Sequence, residues 1–206
     1  MPNTRISIIL GCMYSGKSTE LVRRVSRWRA IGMPTVIINS SHDTRTGLSV
    51  RTHSGKTVIA IKLKYLMKLF ETDFSFIGEG GTSACWRDMA VIAIDEAHFF
   101  PDLLEFVKEM EKHNKIIIIS GLDGDYKREP IGDILKVIPL CDDVVKLKAL
   151  DMRDRDGSEA IFSKRIVEGD EQILVGAQES YIAVSRKNFL DTRTLSKNVS
   201  TTKTQF

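Results

Sequence analysis

Cysteine is scarce in this 206-residue sequence, which has only three, at the widely separated positions Cys12, Cys85 and Cys141. No two of them form a Cys-x-x-Cys pair, so we expect neither a disulfide framework nor a zinc site built from thiolates. Cys12 also lies in a glycine-rich segment, where a disulfide would obstruct the binding of a ligand. We therefore expect a reduced protein of the cytoplasm.

The sequence also lacks a long apolar run and a strong excess of charge of one sign. Since no apolar stretch near the N-terminus exceeds the length of a single strand, we expect neither a signal peptide nor a membrane span. The formal net charge of +3 is too small to indicate a nucleic-acid-binding protein. With 42% hydrophobic and 28% charged residues, the composition is that of a soluble globular chain of one domain and a small appendage.

A glycine-rich segment matches the phosphate-binding pattern G-x-x-x-x-G-K-[ST]. It consists of Gly11, Cys12, Met13, Tyr14, Ser15, Gly16, Lys17 and Ser18. An apolar strand is predicted before it at 5–10 and a helix after it from 19, which a chance match in a glycine-rich turn does not explain. In this setting backbone N–H groups cradle phosphates, Lys17 reaches the terminal phosphates and Ser18 holds Mg²⁺. The segment therefore predicts binding of a nucleoside triphosphate such as ATP.

Apolar runs alternate with segments of helical periodicity over residues 1–148. Strands are predicted at 5–10, 35–38, 91–94, 116–119 and 144–147, with a further β-rich stretch at 50–61 and a loop at 77–83. Helices are predicted from 19 to near Gly32 and at 63–70, 101–110 and 131–140. This alternation predicts an α/β domain like the P-loop NTPases, with a doubly wound, mostly parallel sheet and helices on both faces.

The composition changes near Asp151, where a charged, turn-rich stretch begins. Short strands are predicted at 173–176 and 181–184, so residues 149–191 are interpreted as a small, mostly β domain. Residues 192–206 are rich in Thr, Ser, Lys and Asn without periodicity, and we expect them to be disordered.

Two acidic residues, Asp95 and Glu96, directly follow the predicted strand 91–94. A phosphate-loop enzyme needs an acid at the end of a buried strand to hold Mg²⁺, and Asp95 is in that position. Glu96 can accept a proton from an attacking hydroxyl group or water. The alternative is a pair of solvated acids, but ligands bind at this edge of an α/β sheet.

Residues 95–98 also spell the Asp-Glu-Ala-His box of a class of nucleic-acid helicases. Those motors bind nucleotide between two α/β domains, and this chain is too short to hold both. The sequence also lacks a basic, aromatic surface for a nucleic-acid strand. A P-loop ATPase and a catalytically silent nucleotide-binding regulatory subunit are kept as alternatives.

Four segments together resemble the cytosolic-type (type II) thymidine kinases. They are 11–19, Asp-Thr-Arg at 43–45, Asp-Glu-Ala-His-Phe-Phe at 95–100 and Gly-Leu-Asp-Gly-Asp-Tyr at 121–126. The resemblance implies transfer of the γ-phosphate of ATP to the 5′-hydroxyl of thymidine, and of deoxyuridine, to give the monophosphate in pyrimidine salvage. It also implies a homodimer or homotetramer that requires Mg²⁺. From the charge and the apolar pattern described above, we expect neither nucleic acid nor membranes as partners.

The resemblance further implies roles for individual residues. Glu96 matches the catalytic base, and Asp43 and Arg45 match a pair near the phosphates or the metal, although an exposed loop cation is the alternative for Arg45. The residues implied to contact the nucleoside are Met13, Phe99, Leu122, Tyr126, Ser163, Gln172, Ile173, Leu174, Val175, Gly176 and Tyr181. For Phe99 and Tyr126, packing in the core is the alternative.

The sequence departs from this family in its small domain, which in the family is normally built on a zinc ion held by two paired motifs. In the matching places, residues 151–154 read Asp-Met-Arg-Asp and residues 185–188 read Ser-Arg-Lys-Asn. Two aspartates, a serine and an asparagine are a poor ligand set for zinc. We therefore expect no zinc, and we expect ion pairs between these two segments.

Overall fold

The computed structural model describes residues 4–43, 49–51, 57–78, 81–167, 172 and 178–191. Its strands are β1 (Arg5–Gly11), β2 (Thr35–Ser40), β3 (Ser49–Arg51), β4 (Thr57–Ile59), β5 (Ile61–Leu63), β6 (Phe76–Ile77), β7 (Ser83–Ala84), β8 (Val91–Asp95), β9 (Ile116–Gly121), β10 (Asp143–Leu147), β11 (Ala149–Leu150), β12 (Glu159–Ala160), β13 (Phe162–Arg165) and β14 (Tyr181–Val184). Its α-helices are α1 (Lys17–Ala30), α2 (Leu103–Met110) and α3 (Arg186–Leu190).

Six strands form one sheet in the order β10-β1-β9-β8-β2-β5, and every neighbouring pair in it is parallel. β9 is buried along its whole length, as the apolar run Ile116–Ile119 requires of a central parallel strand. One face of the sheet packs against α1, and the other packs against α2. The predicted doubly wound α/β fold is therefore confirmed.

The predicted helices at 63–70 and 131–140 are shorter than expected. Only Leu66–Phe70 and Ile134–Leu140 are helical, and both are 3₁₀ helices rather than α-helices. Pro139 lies inside the second, and a proline has no backbone N–H for the α-helical hydrogen bond. The predicted loop at 77–83 also begins and ends in strand residues, because β6 and β7 form an antiparallel pair.

The small mostly β part of the chain is built from antiparallel pairs, β11 with β12 and β13 with β14, followed by α3. The predicted strand at 181–184 is confirmed, whereas 173–176 and the tail 192–206 lie outside the described residues. No helix in the described part of the chain is both long and apolar enough to cross a membrane.

An apolar seam joins this small part to the phosphate-binding loop. It consists of Cys12, Ala149, Ala160 and Ala183, with Tyr14 packed against it. Because four of the five side chains are small, the backbones of β11, β12 and β14 approach the loop closely.

Candidate active site

The phosphate-binding loop connects the end of β1 to the start of α1 through two glycines with positive φ. Gly11 has φ +149°, and a Cβ atom there would lie 2.5 Å from the carbonyl oxygen of Leu147. Gly16 has φ +84° immediately before α1, a left-handed conformation that glycine adopts without steric cost. The first turn of α1 has no side-chain cap, so its N–H groups are available to an anion.

Lys17 is the buried cation of this loop. Its Nζ atom donates a hydrogen bond to the carbonyl oxygen of Cys12 at 2.7 Å. Burial lowers the pKa of its ammonium group, and the nearby charges of Glu96, Asp95 and Asp123 oppose that shift. The structure therefore brings the lysine of the loop together with the acids at the ends of β8 and β9.

Asp95 is buried at the end of β8 and accepts hydrogen bonds from the Ser120 hydroxyl and the Glu96 backbone N–H. Burial and the charge of Glu96 raise the pKa of Asp95, and hydrogen bonds from Ser120 and Ser18 work in the opposite direction. Two oxygen-bearing side chains, one at the start of α1 and one at the end of β8, thus lie side by side. Mg²⁺ prefers such oxygen ligands, so Ser18 and Asp95 fit the predicted metal position.

Glu96 is held in a left-handed conformation, with φ 51° and ψ 40°, which is uncommon for a residue other than glycine. Its Oε2 atom lies 3.7 Å from Nε2 of His98. The other ring nitrogen of His98 accepts the N–H of Leu122 at 3.2 Å. In the neutral ring the proton is therefore on Nε2, the side that faces the Glu96 carboxylate.

Aromatic side chains follow these acids. Phe99 is half-buried and packs on the His98 ring, with the ring centroids 4.2 Å apart. The Arg165 guanidinium lies 4.0 Å from the centroid of Tyr126 and donates a 2.7 Å hydrogen bond to the hydroxyl of Tyr181. Arg165 therefore links the aromatic residue of the β9 loop to the aromatic residue of β14.

Three residues of the phosphate loop contact the small part of the chain. The Met13 N–H donates to the Ser163 hydroxyl at 3.0 Å, and the Tyr14 hydroxyl donates to the Tyr181 carbonyl at 3.3 Å. The thiol of Cys12 points to the carbonyl of Ala160 at 3.5 Å. The family resemblance implies a contact of Ser163 with the nucleoside, whereas no sequence pattern predicts these contacts between the loop and the small part of the chain.

The remaining predicted residues are placed only in part. Asp43 is buried after β2, where its carboxylate accepts a hydrogen bond from Asn39 at 2.9 Å. Gln172 is exposed and donates to the Pro130 carbonyl at 3.3 Å. Arg45 and residues 173–176 lie outside the described residues.

Sequence reasoning missed Ser120, Asp123 and Arg165. Ser120 and Asp123 lie at and just beyond the end of the apolar run of β9, and polar residues at that edge of a parallel sheet were a signal that could have found them. Arg165 had no such signal, because its contacts join residues far apart in sequence.

A phosphate loop leading into a helix, with buried acids at the ends of adjacent parallel strands, defines the P-loop class of nucleotide-binding proteins. Comparison with known proteins narrows the class. The family model for thymidine kinase matches residues 4–189. The thymidine kinases of Vaccinia virus (strain Western Reserve) and Monkeypox virus are both 39% identical to this chain over 193 residues, which is 93% of this chain and 99% of theirs. The thymidine kinase of Variola virus is 38% identical with the same coverage.

The chain belongs to the thymidine kinase family. This finding confirms the predicted resemblance and the predicted enzyme class, a nucleoside kinase.

Proposed function

We propose that this protein transfers the γ-phosphate of ATP to the 5′-hydroxyl of thymidine, and of deoxyuridine, to give the nucleoside monophosphate and ADP. The observation that carries this proposal is the placement of the Lys17 loop, after β1, at the same carboxyl edge of the parallel sheet as Asp95 and Glu96, at the end of β8. Phe99 packs on His98 next to these acids, and Tyr126 contacts Arg165. Family membership over residues 4–189 supports the same substrates.

Phosphates of ATP bind to the backbone N–H groups of the loop and of the first turn of α1. The Lys17 ammonium, which now donates to the Cys12 carbonyl, exchanges that partner for the terminal phosphate oxygens. Ser18 and Asp95 would hold Mg²⁺, which neutralises charge on the phosphates when it is bound. Asp43 and Arg45 are proposed to lie near the same phosphates.

Glu96 is the proposed general base. Its carboxylate accepts the proton of the 5′-hydroxyl as that oxygen bonds to the γ-phosphorus, and the bond from the γ-phosphorus to the bridging oxygen of ADP breaks. His98 lies behind the carboxylate with its Nε2 atom facing Oε2. This contact restrains the carboxylate, and positioning is the main source of rate enhancement in phosphoryl transfer.

The nucleoside pocket is proposed to lie between the two parts of the chain. Phe99, Tyr126 and Tyr181 supply flat apolar walls for a pyrimidine and its sugar, and Met13 and Leu122 bound the 5-methyl group. Ser163 and residues 172–176 are proposed to lie near the base, with backbone groups reading its edge. Such a reading selects thymine or uracil over cytosine by the pattern of donors and acceptors.

Several further properties are proposed on the same basis. The protein acts in pyrimidine salvage in the cytoplasm as a homodimer or homotetramer. Residues 1–148 form the nucleotide-binding domain and 149–191 form the nucleoside lid.

The test is ADP release from ATP with a panel of nucleosides, with and without Mg²⁺. We expect Mg²⁺-dependent release with thymidine and deoxyuridine and none with deoxycytidine. ADP release at the same rate with and without a nucleoside would instead support an ATPase. ATP binding without turnover of any nucleoside would support a catalytically silent regulatory subunit.

A further inference from the structure

Residues 151–154 and 185–188, where the family's metal motifs would lie, meet around the carboxylate of Asp151, which is only 2% exposed. Its Oδ1 atom accepts the backbone N–H groups of Arg153 at 2.8 Å and Asp154 at 3.1 Å. Its Oδ2 atom accepts the backbone N–H of Ser185 at 2.6 Å and the side-chain amide of Asn188 at 2.9 Å. Four donors from two distant segments therefore converge on one buried anion.

The same two segments are joined by further contacts. The Ser185 hydroxyl caps α3 by accepting the N–H of Asn188, which is also buried at 2% exposure. The backbone N–H of Met152 donates to the Ala183 carbonyl of β14 at 2.9 Å. Asp154 forms the predicted ion pair with Lys187 at 3.2 Å, but that pair is exposed and contributes little.

A zinc ion does not fit these residues. Zinc requires four lone pairs that point to one centre about 2.0–2.3 Å from each donor atom. Here the lone pairs of Asp151 are directed at N–H groups, Asn188 presents its amide nitrogen, and Asp154 is paired with Lys187. Among the described residues, no cluster of three or more His, Cys, Asp or Glu side chains is arranged to hold a metal ion.

The charge of Asp151 is stabilised by these donors. Burial alone would raise the pKa of Asp151, but the hydrogen bonds from Ser185, Asp154 and Asn188 outweigh burial and hold the pKa well below its usual range. The carboxylate is therefore ionised at neutral pH.

We propose that the Asp151 carboxylate takes the place of a metal ion as the centre of this small domain, and so acts as a positioning residue for the nucleoside. Ser185 directly follows β14, so its bond to Asp151 fixes the strand that begins with Tyr181. β14 pairs in turn with β13, which carries Ser163 and Arg165. The positioning of the nucleoside by Asp151 rests on the proposed function, whereas the metal-free centre of the small domain does not.

The first measurement is made on the unmodified protein. We expect its zinc content, measured by plasma mass spectrometry after purification without chelator, to be far below one atom per chain. We also expect a chelator of zinc to leave the thymidine KM and the melting temperature unchanged. Stoichiometric zinc whose removal raises KM or lowers the melting temperature would overturn the proposal.

The second measurement compares Asp151→Asn with Asp156→Asn, an exposed aspartate of the same connection that also accepts a backbone N–H. Asparagine replaces one accepting oxygen with an NH₂ group, so the two donors that this oxygen accepted lose their acceptor and face the NH₂ group instead. We expect Asp151→Asn to raise the thymidine KM about tenfold with little change in kcat. ATP affinity, measured with a fluorescent ATP analogue, changes less. Asp156→Asn behaves as the unmodified protein.

An unchanged thymidine KM in folded Asp151→Asn would contradict the positioning role. If that variant does not fold, Asn188→Ala removes one of the four donors and is expected to raise the thymidine KM by a smaller factor, about threefold; no rise would equally contradict it. If no nucleoside is phosphorylated, the proposed function fails. The metal-free centre is then still tested by the zinc content of the unmodified protein and by the melting temperatures of Asp151→Asn and Asp156→Asn.

Discussion

Glu96 has an uncommon backbone conformation, and its carboxylate lies next to the His98 ring. Glu96 adopts its left-handed backbone conformation directly after the buried Asp95, and the two carboxylates have different neighbours. Two neighbouring acids can thus take different roles, one beside Ser18 and one beside His98.

Replacing Glu96 with glutamine is expected to remove the proposed base while it keeps the size of the side chain. We expect kcat to fall about 10²–10⁴-fold, with small changes in the KM values of ATP and thymidine. Steady-state ADP release measures the effect, and Glu105→Gln, an exposed position on α2, is the control. A nearly normal kcat would mean that another group accepts the proton.

His98 acts through Glu96 in this scheme, so its replacement should affect turnover rather than substrate binding. In His98→Ala the Leu122 N–H loses its acceptor and Glu96 loses its neighbour. We expect kcat to fall about tenfold and the melting temperature to drop, because the ring is buried. His98→Gln, which keeps a polar group there, should lose less activity; equal activity in all three proteins would exclude the positioning role.

At the scale of secondary-structure elements, charged side chains connect helix α1 to β10 at the edge of the sheet. Glu20 accepts hydrogen bonds from Arg23 and Arg24, and Arg24 also pairs with Asp143 of β10 at 2.8 Å. Hydrogen bonds from these arginines lower the pKa of Glu20 to about 2 from 4.5. Because the folded pKa is depressed, this stabilisation is present above pH 4.5 and is lost as the pH falls toward 2.

Glu20→Gln is accordingly expected to lower the free energy of unfolding at pH 7 by about 0.5–1 kcal/mol, since these side chains are partly exposed. The difference from the unmodified protein should shrink between pH 4.5 and 2. Denaturant unfolding at several pH values measures it, with the exposed Glu111→Gln as the control. A difference independent of pH would show that the charge of Glu20 is not responsible.

The elements that could be predicted from sequence are those with a strong local signal. Apolar runs predicted β1, β2, β8, β9 and β10, and the glycine pattern predicted the loop before α1. Local patterns could not distinguish 3₁₀ from α-helix at Ile134–Leu140, where Pro139 and packing under α2 decide the outcome. Nor could they find the pairing of β11 with β12, whose strands have only two residues each, or the convergence of donors on Asp151.

At the scale of the whole molecule, the phosphate loop and the small domain form one continuous structure. Ser163 connects them through the N–H of Met13, so Ser163→Ala leaves that N–H without its acceptor. We expect the KM values for ATP and thymidine to rise together, each about threefold to tenfold. Kinetics with each substrate varied in turn measures this effect.

Ser26→Ala is the control for Ser163→Ala, because the Ser26 hydroxyl donates a hydrogen bond within α1, to the Val22 carbonyl. A rise confined to the thymidine KM would mean that Ser163 contacts the base, as the family resemblance implies, and does not support the phosphate loop.

The seam of small side chains around Cys12 has a thermodynamic consequence. The glycine-rich loop and the proposed nucleoside lid share this packing, so we expect a rearrangement of one to affect the other. The coupling free energy between two ligands is reciprocal. If bound thymidine lowers the dissociation constant of ATP by some factor, bound ATP lowers the dissociation constant of thymidine by the same factor. A ligand that holds the proposed lid away from the nucleoside site would then weaken the affinity for ATP without contacting the phosphate-binding loop.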